Sequence, residues 1–336
     1  MVLSKQRRWL VTGGCGFIGT NLLDRLLQEG ACIRVFDDLS VGTRDALAAI
    51  APFVERGGGR EWRDRLRLVV GDIRDADSIR SAAEGADVIV HLAASTGVPQ
   101  SVADPRFDCV SNVVGTLNVL EAARHHGVRR FIFASSGAPA GEVEPPIHEE
   151  IVPKPVSPYG ASKLAGEAYC SAYARTFGIE TVALRFGNVY GPGSGHKSSV
   201  VAKWIGRAVN GRSIEIFGDG SASRDFVFVS DLVDAVLRAA EADAATVAGE
   251  VYQIATSRET SIGEIAEVLV ESLADAGLTR PSILHEPPRP GDVKRNYADT
   301  TKARRDLGWI AETELKEGLR RTVADLAARP DRVPSA

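Results

Sequence analysis

The sequence predicts an α/β protein with a Rossmann-type, doubly wound parallel sheet and a smaller C-terminal lobe for substrate. Short β-branched runs alternate with segments of helical period through the first half of the chain. This alternation is typical of a parallel sheet covered by helices on both faces. A glycine-rich turn, Gly13–Gly19, follows the first run, and two aspartates follow the second. Glycines and an acid at this spacing indicate a dinucleotide-binding βαβ unit.

Individual elements are predicted from apolar runs and from apolar residues at helical spacing. The predicted strands are Trp9–Val11, Ile33–Phe36, Leu66–Val70, Val88–Leu92, Phe131–Ala134 and Thr181–Arg185. The predicted helices between them are Asn21–Leu27, Ser78–Glu84, Asn112–His125 and Ser162–Phe177. The insertion Ala51–Arg65 contains Gly57–Gly59, so we expect a surface loop there.

The regular alternation ends after about Gly187, where Gly191–Gly195 predicts a loop. The later helices and short strands no longer follow a strand–helix pattern, so we expect a second lobe built over the edge of the sheet. The predicted divisions are 1–186 for the dinucleotide-binding domain, about 224–256 for segments that return to it, 187–330 mainly for the substrate lobe, and 331–336 for a frayed tail.

Composition excludes several classes of function. The chain has 336 residues, of which 44% are hydrophobic, and a net charge of −4, so neither a nucleic acid nor a membrane is an expected partner. No apolar run approaches the roughly 20 residues of a membrane span, and no signal peptide is evident after Met1–Arg8. Cys15, Cys32, Cys109 and Cys170 lack metal-ligand spacing, so we expect no metal and a cytoplasmic location.

The Gly13–Gly19 turn is predicted to hold the pyrophosphate of a dinucleotide. Gly13 permits a tight turn, Gly16 lets the backbone approach the pyrophosphate, and Gly19 lets the next helix pack closely on the sheet. The N–H groups and dipole of that helix attract the anion. Asp37 and Asp38 end the second strand, where a carboxylate accepts hydrogen bonds from the adenosine ribose and repels a 2′-phosphate. The sequence therefore favours NAD over NADP.

A second group of residues predicts acid–base chemistry. Tyr159 and Lys163 are four positions apart and share one face of a predicted helix. A tyrosine acts as a base near neutral pH only if its phenolate is stabilised, and a neighbouring ammonium and the positive ring of an oxidised nicotinamide lower its pKa. Ser135 and Ser136 follow the strand Phe131–Ala134, at the edge where parallel sheets carry their ligands.

Taken together, these motifs make the chain similar to the extended short-chain dehydrogenases/reductases. The segments that carry the resemblance are Thr12–Gly19, Asp37, His91–Ala94, Asn112–Thr116, Ser136 and Ser157–Lys163. Further segments resemble the nucleotide-sugar epimerase/dehydratase branch, namely Leu184–Pro192, Arg224–Phe226 and Arg289–Asp292. The resemblance runs from about Trp9 to Gly318, and the most similar subgroup is that of the UDP-sugar 4-epimerases.

The resemblance implies a catalytic role for three residues. Tyr159 is expected to be the base, Lys163 its electrostatic partner and a ribose ligand, and Ser136 a hydrogen-bond partner of the sugar 4-hydroxyl. Hydride is expected to pass from C4 of the sugar to NAD, and to return to the other face after the 4-keto sugar has turned over. The cofactor would end each cycle unchanged.

Two sets of binding residues follow from the same resemblance. The expected NAD-binding residues are Gly13, Gly16, Phe17, Ile18, Gly19, Asp37, Asp38, Leu39, Ser40, Gly42, Asp72, Ile73, Leu92, Ala93, Ala94, Asn112, Ser135, Tyr159 and Lys163. The residues expected to bind a nucleotide-diphosphate sugar, with UDP as the nucleotide, are Ser95, Ser136, Asn188, Val200, Arg224, Arg289 and Asn296. The guanidinium forks among them suit a diphosphate.

Departures from the family pattern bear on the reaction. Ala140 replaces a turn tyrosine, so the path of this loop and one wall of the pocket are expected to differ. Gly137 and Ala138 stand where the 4,6-dehydratases carry an Asp–Glu pair, and Ala138 where the UDP-glucuronate decarboxylases carry a glutamate. Because neither residue transfers a proton, the sequence favours epimerisation at C4 over elimination.

Three functions stay open at this point. The first is a 4-epimerase for UDP-glucose and UDP-galactose or for the N-acetylhexosamine pair. Asn296 stands where a bulky tyrosine excludes N-acetyl groups, and its smaller size favours a pocket that admits both. The second is a dehydratase or a UDP-glucuronate decarboxylase/epimerase with a distant acid such as Glu142 or Glu144, and the third is a non-catalytic NAD-binding scaffold. The family also implies a homodimer formed through Asn112–His125 and Ser157–Phe177.

Overall fold

The computed structural model describes residues 7–196, 199–288 and 294–328. The strands are β1 (Arg8–Thr12), β2 (Cys32–Asp37), β3 (Val54–Glu55), β4 (Leu66–Val70), β5 (Val88–His91), β6 (Arg130–Ser136), β7 (Glu180–Phe186), β8 (Asn188–Tyr190), β9 (Ile214–Phe217), β10 (Ser223–Arg224), β11 (Phe226–Phe228), β12 (Glu250–Ile254), β13 (Thr260–Ser261) and β14 (Ile283–Glu286).

The helices are α1 (Phe17–Gln28), α2 (Arg44–Ala48), α3 (Ala76–Ala83), α4 (Val98–Ala103), α5 (Pro105–Cys109), α6 (Gly115–His126), α7 (Pro158–Phe177), α8 (Val200–Val209), α9 (Val229–Glu241), α10 (Ala244–Val247), α11 (Ile262–Asp275), α12 (Thr301–Leu307) and α13 (Leu315–Ala327). A π-helical turn, Val110–Val114, joins α5 to α6, and 3-10 turns cover Ala138–Ala140 and Ser194–His196.

One large sheet has the strand order β12-β7-β6-β5-β1-β2-β4-β3, and every neighbouring pair in it is parallel. From β1 the chain adds β2 and β4 on one side and β5, β6 and β7 on the other. Ligands bind at the carboxyl ends of the strands where the order reverses in this way. The predicted doubly wound sheet is therefore confirmed. The returning strand β12 lies within residues 224–256 and pairs with β7.

Apolar side chains cover both faces of the sheet. Successive residues of β1 point to opposite faces, so Val11 packs with Leu22 and Leu26 of α1, while Leu10 packs on the other side with Val119 of α6. A third apolar cluster belongs to the smaller lobe and joins α8, α11 and α13 to β9, with Trp204 buried among them. The cavity described below lies between the sheet and this lobe.

The insertion Ala51–Arg65 is more ordered than the predicted surface loop. It contributes the edge strand β3, which pairs with β4. The buried guanidinium of Arg34 holds the insertion in place, because it donates to Gly59 O at 2.7 Å and stacks on the Trp62 ring at 4.1 Å. A strand of only two residues leaves no periodic apolar signal, so the sequence pattern did not predict it.

Two further observations concern membrane-spanning helices and metal sites. No helix among residues 7–196, 199–288 and 294–328 is long and apolar enough to cross a membrane. In the same described part of the chain, no group of three or more His, Cys, Asp or Glu side chains is arranged to hold a metal ion.

The helix α7 crosses β6 at a very short distance, and Gly166 makes this possible. A Cβ atom at position 166 would lie 2.3 Å from Cζ of Phe133, whose ring is buried in β6. The Phe133 ring has no room to move away, because interiors are packed as densely as organic crystals. Gly166 therefore sets the spacing between this helix and the sheet.

We predict that Gly166→Ala lowers the free energy of unfolding by about 1–3 kcal/mol, because the added methyl group overpacks the contact with Phe133. Gly263→Ala is the matched control, since Gly263 is also helical but a Cβ there would meet its nearest neighbour at 3.5 Å. The control variant is expected to be as stable as the wild type or slightly more stable. Urea unfolding of both variants tests this, and equal stabilities would contradict it.

Candidate active site

A cavity of about 1370 Å³ follows the carboxyl edge of the sheet and extends to the smaller lobe. The predicted site residues that line it are Gly13, Gly16, Phe17, Ile18, Gly19, Asp37, Asp38, Ser40, Gly42, Asp72, Ile73, Leu92, Ala93, Ala94, Ser95, Ser135, Ser136, Tyr159, Lys163, Asn188, Arg224 and Asn296. Leu39, Asn112 and Val200 lie elsewhere, and Arg289 lies outside the described residues. One cavity therefore brings together residues from both predicted sets.

The glycine turn forms a cradle that has no room for side chains. Gly13 has φ 68°, and a Cβ there would lie 2.7 Å from Ala93 N; a Cβ on Gly19 would lie 2.5 Å from Gly13 O. On Gly16, by contrast, a Cβ would meet only Gly13 O, at 3.4 Å, and would otherwise fill cavity space. The helix α1 starts here with neither a side-chain cap nor an acidic residue in its first turn. Its positive end is thus available to an anion, as the pyrophosphate of NAD requires.

Asp37 ties the end of β2 to the glycine turn. Its carboxylate is almost fully buried and accepts hydrogen bonds from Cys15 N and Leu39 N, both at 2.9 Å. Burial raises the pKa of Asp37, and the two backbone donors act in the opposite direction. Leu39 takes φ 60° and contributes its backbone, while its side chain packs against the core instead of lining the cavity. Leu39 therefore does not line the cavity, and its contact with the cofactor stays a prediction.

At the outer end of the cavity, Asp38 and Asp72 are both held by their neighbours. Asp38 accepts from Ser40 N at 3.0 Å and Ser40 Oγ at 2.6 Å. Asp72 forms a bidentate ion pair with Arg74, which holds the pKa of that carboxyl below its usual value. Arg74, which no motif predicted, also stacks on the Phe107 ring at 5.1 Å. These contacts fix the wall at which the adenosine end of a dinucleotide would lie.

Tyr159 and Lys163 enter the cavity from the first turns of α7. Ser157 caps this helix, since its Oγ accepts from Gly160 N at 3.1 Å. Lys163 Nζ is buried, donates to Ala134 O at 2.9 Å, and lies 5.9 Å from the centre of the Tyr159 ring. Because the anchoring carbonyl belongs to the end of β6, this hydrogen bond places both side chains above that strand end.

Burial controls the protonation of this pair. It raises the pKa of Tyr159 to about 12, while a side-chain hydrogen bond with Ser136 acts in the opposite direction. It also lowers the pKa of Lys163 to about 8. Desolvation is therefore the largest effect on the Tyr159 phenol in the protein by itself, and the expectation that Lys163 together with an oxidised nicotinamide lowers its pKa stays a prediction. Ser136 is in place next to the phenol and also accepts from Ala138 N at 3.2 Å.

Ser135, the next residue back along β6, is part of a buried ionic group. Its hydroxyl donates to Glu167 Oε1 at 2.5 Å, and Glu167 forms a bidentate pair with Arg185 with both distances at 2.8 Å. The two charged side chains are 4% and 3% exposed. Sequence reasoning missed Glu167 and Arg185, although a charged residue close to the end of the apolar run of β7 was a usable signal.

Asn112 lies behind the cavity wall, and its expected contact with the cofactor stays a prediction. It sits in the π-helical turn Val110–Val114, where its amide donates to Ser95 O at 2.9 Å and its Oδ1 accepts from Ser95 N at 2.8 Å. Because the wider turn directs this side chain inwards, Asn112 holds the Ser95 backbone, and Ser95 faces the cavity.

His91 forms the centre of a hydrogen-bond chain beneath the cavity floor. Thr116 Oγ1 donates to Asn112 O at 2.5 Å, so it accepts from His91 Nε2 at 3.0 Å. Nδ1 of the ring therefore accepts from Thr12 Oγ1 at 2.7 Å, and that oxygen accepts from Ala93 N at 3.2 Å. Every donor has one acceptor when the imidazole is neutral. Burial agrees with this, since it lowers the pKa of His91 to about 3.

The substrate end of the cavity continues into a smaller cavity of about 350 Å³. Asn188 and Arg224 border both cavities, while Val200 borders only the smaller one, beside Trp204 and Phe217. Val200 thus lies one step further from the reacting centre than the other predicted substrate residues.

The distant acids considered from sequence do not reach the cavity. Glu142 is exposed and Glu144 forms an ion pair with Arg295 at 2.9 Å, and neither lines the cavity. The position of the missing turn tyrosine is filled by the 3-10 turn Ala138–Ala140, in which Ala140 is buried.

The neutral His91 predicts a pH dependence of stability. The folded pKa is depressed to about 3, whereas histidine in an unfolded chain titrates near 6.5. Between these values the unfolded chain binds the proton and the folded protein does not, so stability falls as the pH falls. Between pH 7 and pH 5 the wild type is expected to lose about 2 kcal/mol more than His91→Asn. Urea unfolding at both pH values measures this, with exposed His125→Asn as control; parallel losses in all three proteins would contradict it.

Comparison with known proteins shows which family this chain belongs to. A sequence profile of the NAD dependent epimerase/dehydratase family matches residues 9–255. A UDP-glucose 4-epimerase from Mycolicibacterium smegmatis is 39% identical over 321 residues, which cover 94% of this chain and 97% of that protein. The structure of Thermus thermophilus UDP-glucose 4-epimerase in complex with NAD has a TM-score of 0.82 at 33% identity and covers 96% of this chain and 99% of that one.

A third similar protein carries a different sugar. The UDP-N-acetylglucosamine 4-epimerase from Methanobrevibacter ruminantium, solved in complex with UDP-N-acetylmuramic acid, has a TM-score of 0.86 at 30% identity. The match covers 97% of this chain and 100% of that one. With a glycine cradle, an acid at the end of β2 and a Ser–Tyr–Lys group in one cavity, this chain is an enzyme of the NAD-dependent epimerase/dehydratase family, and NAD is its cofactor.

Proposed function

We propose that this chain is a nucleotide-sugar 4-epimerase that inverts C4 of a UDP-linked hexose or N-acetylhexosamine through a transient 4-keto sugar. The observation that carries this proposal is the composition of the wall around Tyr159. Ser136, Gly137 and Ala138 line the cavity next to the phenol, and none of them is an acid. The wall thus offers a base for the 4-hydroxyl and no group to move a proton at C5 or C6.

In this mechanism each residue has a separate task. Tyr159 takes the proton of the 4-hydroxyl and gives it back, and Ser136 orients that hydroxyl through the hydrogen bond it shares with the phenol. Lys163 stabilises the phenolate and, with its remaining N–H groups, reaches a ribose hydroxyl. Bound NAD supplies a reversible hydride acceptor at C4. Because these residues act only on O4, they serve both stereoisomers.

The rest of the cavity fits the parts of a nucleotide-diphosphate sugar. Arg224 and Asn188 border both cavities, at the place where a diphosphate would join a base to the sugar. A guanidinium fork matches two phosphate oxygens. The smaller cavity has aromatic side chains, Trp204 and Phe217, and a volume suited to a base. The similar proteins from T. thermophilus and M. ruminantium act on UDP-sugars by name, which supports uridine as the nucleoside.

Asn296 supports a pocket that also admits N-acetyl groups. It lines the cavity on the side of the smaller lobe, and its short side chain leaves space that a tyrosine would occupy. Assays with UDP-glucose and with UDP-N-acetylglucosamine therefore separate a hexose enzyme from one that accepts both pairs.

A dehydratase or decarboxylase is the weaker alternative. The carboxylates that line the cavity, among the described residues, are Asp24, Asp37, Asp38, Asp72 and Asp325. Four of them lie on the cofactor side and the fifth lies in α13, where it accepts from Gly193 N at 2.8 Å. A scaffold without catalysis is disfavoured because Ser136, Tyr159 and Lys163 are all placed for chemistry.

We also propose a homodimer. One side of the chain exposes apolar side chains that belong to α4, the π-helical turn and α7, namely Val102, Val110, Val114, Tyr169 and Phe177. A set of this kind around neighbouring helices is typical of a protein–protein interface. Sedimentation equilibrium is expected to give the mass of two chains, and Val110→Glu is expected to give one. A monomeric wild type would contradict this.

The proposed reaction predicts that turnover depends on the Tyr159 hydroxyl. Tyr159→Phe is expected to lower kcat for interconversion of UDP-sugar epimers by about 10²–10⁴-fold, because the base is removed. Product analysis by mass spectrometry and chromatography is expected to show an isomer of unchanged mass.

Tyr169→Phe on the same helix is the matched control, since Tyr169 lies outside the cavity and the variant keeps the aromatic ring at the proposed dimer surface, and we expect wild-type turnover. Loss of water or carbon dioxide from the product would contradict the epimerase and favour the alternative enzymes. Unchanged turnover in Tyr159→Phe would contradict the assigned base.

A further inference from the structure

A buried carboxylate that the mechanism does not use lies next to the Tyr159–Lys163 pair. Asp108 is near the end of α5, and only 2% of its surface is exposed. The helix α5 packs directly against α7, which carries Tyr159 and Lys163. Carboxylates are rarely buried without a partner, because loss of hydration is costly. At this buried position Asp108 therefore needs hydrogen-bond or charge partners.

Asp108 is linked to α7 through Asn112. The Asn112 amide donates to Asp108 Oδ1 at 2.8 Å, and the same nitrogen lies 3.2 Å from Ser162 Oγ. Ser162 Oγ in turn donates to Tyr159 O at 3.0 Å. These contacts fix the carboxylate against the turn of α7 that runs from Tyr159 to Lys163. Asp108 is thus held inside the protein and does not turn towards solvent.

The charges around Lys163 do not balance without Asp108. The titratable groups whose charge interacts with the ammonium are Asp108 from α5, Glu167 and Cys170 from α7, and His91 from β5. The Tyr159 ring of α7 also lies 5.9 Å from Lys163 Nζ. Glu167 is already paired with Arg185 of β7, and His91 is neutral. Burial raises the pKa of Cys170, which keeps this thiol protonated. Asp108 forms no ion pair with any residue of the described ranges, so its negative charge is the one left to balance Lys163.

We propose that Asp108 is a positioning residue that holds Lys163 in its ammonium form and so sets the pH range in which the Tyr159–Lys163 pair works. This role rests on the proposed epimerase function. The charge of Asp108 raises the pKa of Lys163 against the effect of burial, and it also raises the pKa of Tyr159. In a poorly hydrated site such charge effects are strong. Asp108 therefore shifts both titrations in the same direction.

Asp108→Asn tests this, because it removes the charge and keeps an oxygen that accepts from Asn112. Both pKa values are expected to fall in the variant. The acidic limb of the kcat/KM profile, where Tyr159 loses its proton, and the alkaline limb, where Lys163 loses its proton, are expected to move to lower pH by about one unit. On the alkaline limb the variant is thus about tenfold slower than the wild type, and on the acidic limb it is faster.

Asp104→Asn is the matched control. Asp104 lies one helical turn before Asp108 and is exposed, and its Oδ1 caps α5 by accepting from Phe107 N at 2.9 Å. Asparagine caps equally well, so this variant loses the same charge and keeps the helix. Both limbs of its profile are expected to stay in place. If Asp108→Asn does not fold, the smaller neutral variant Asp108→Ser takes its place in the same assay.

The proposal is overturned if the neutral variant lowers the rate equally at every pH, since that result indicates only a packing role. A shift of both limbs to higher pH also overturns it. If the wild type converts no UDP-sugar, the proposed function fails, and Asp108 is then tested by titrating Tyr159 directly. The phenolate absorbance of each protein, minus that of its Tyr159→Phe counterpart, gives the pKa. A lower pKa in Asp108→Asn supports the proposal, and an unchanged one overturns it.

Discussion

The ammonium of Lys163 donates to the Ala134 carbonyl at the end of β6, inside the protein, at 2.9 Å. This hydrogen bond requires α7 to cross the strand closely, and Gly166 allows that approach, because any side chain there would meet the Phe133 ring. Tyr159, one turn earlier on the helix, is then placed over the same strand end as Ser136. The Ala134 carbonyl and the lack of a side chain at Gly166 thus determine where the candidate base lies.

Polar groups buried around the cavity are stable because almost every donor has a matching acceptor. The neutral His91 satisfies two threonines at once, and Glu167 joins Ser135 to Arg185. These groups connect the ends of neighbouring strands, so that the cavity wall is fixed before any ligand arrives. In such a network, one unpaired buried group costs as much folding free energy as several ordinary contacts contribute.

Local signals were enough to predict the sheet and the ends of the site. The glycine turn, the acid at the end of β2 and the Tyr159–Lys163 spacing are each visible in a few adjacent residues. The direction of the Asn112 side chain was not predictable, because it depends on a π-helical turn that has no sequence signature. The Glu167–Arg185 pair and the charge of Asp108 depend on how separate helices pack. A pattern along the chain reports neighbours in sequence, and these effects come from neighbours in space.

The protonation of the site explains how the base and the cofactor depend on each other. Burial favours the neutral phenol of Tyr159 with a pKa of about 12, so the base is inactive in the protein by itself. Lys163, with a pKa of about 8, is still mainly an ammonium at neutral pH and supplies one positive charge. The oxidised nicotinamide carries the second positive charge that a phenolate needs. An empty site therefore holds no strong base, and in the proposed reaction proton removal from a sugar is confined to the enzyme with bound NAD, in which the hydride also has an acceptor.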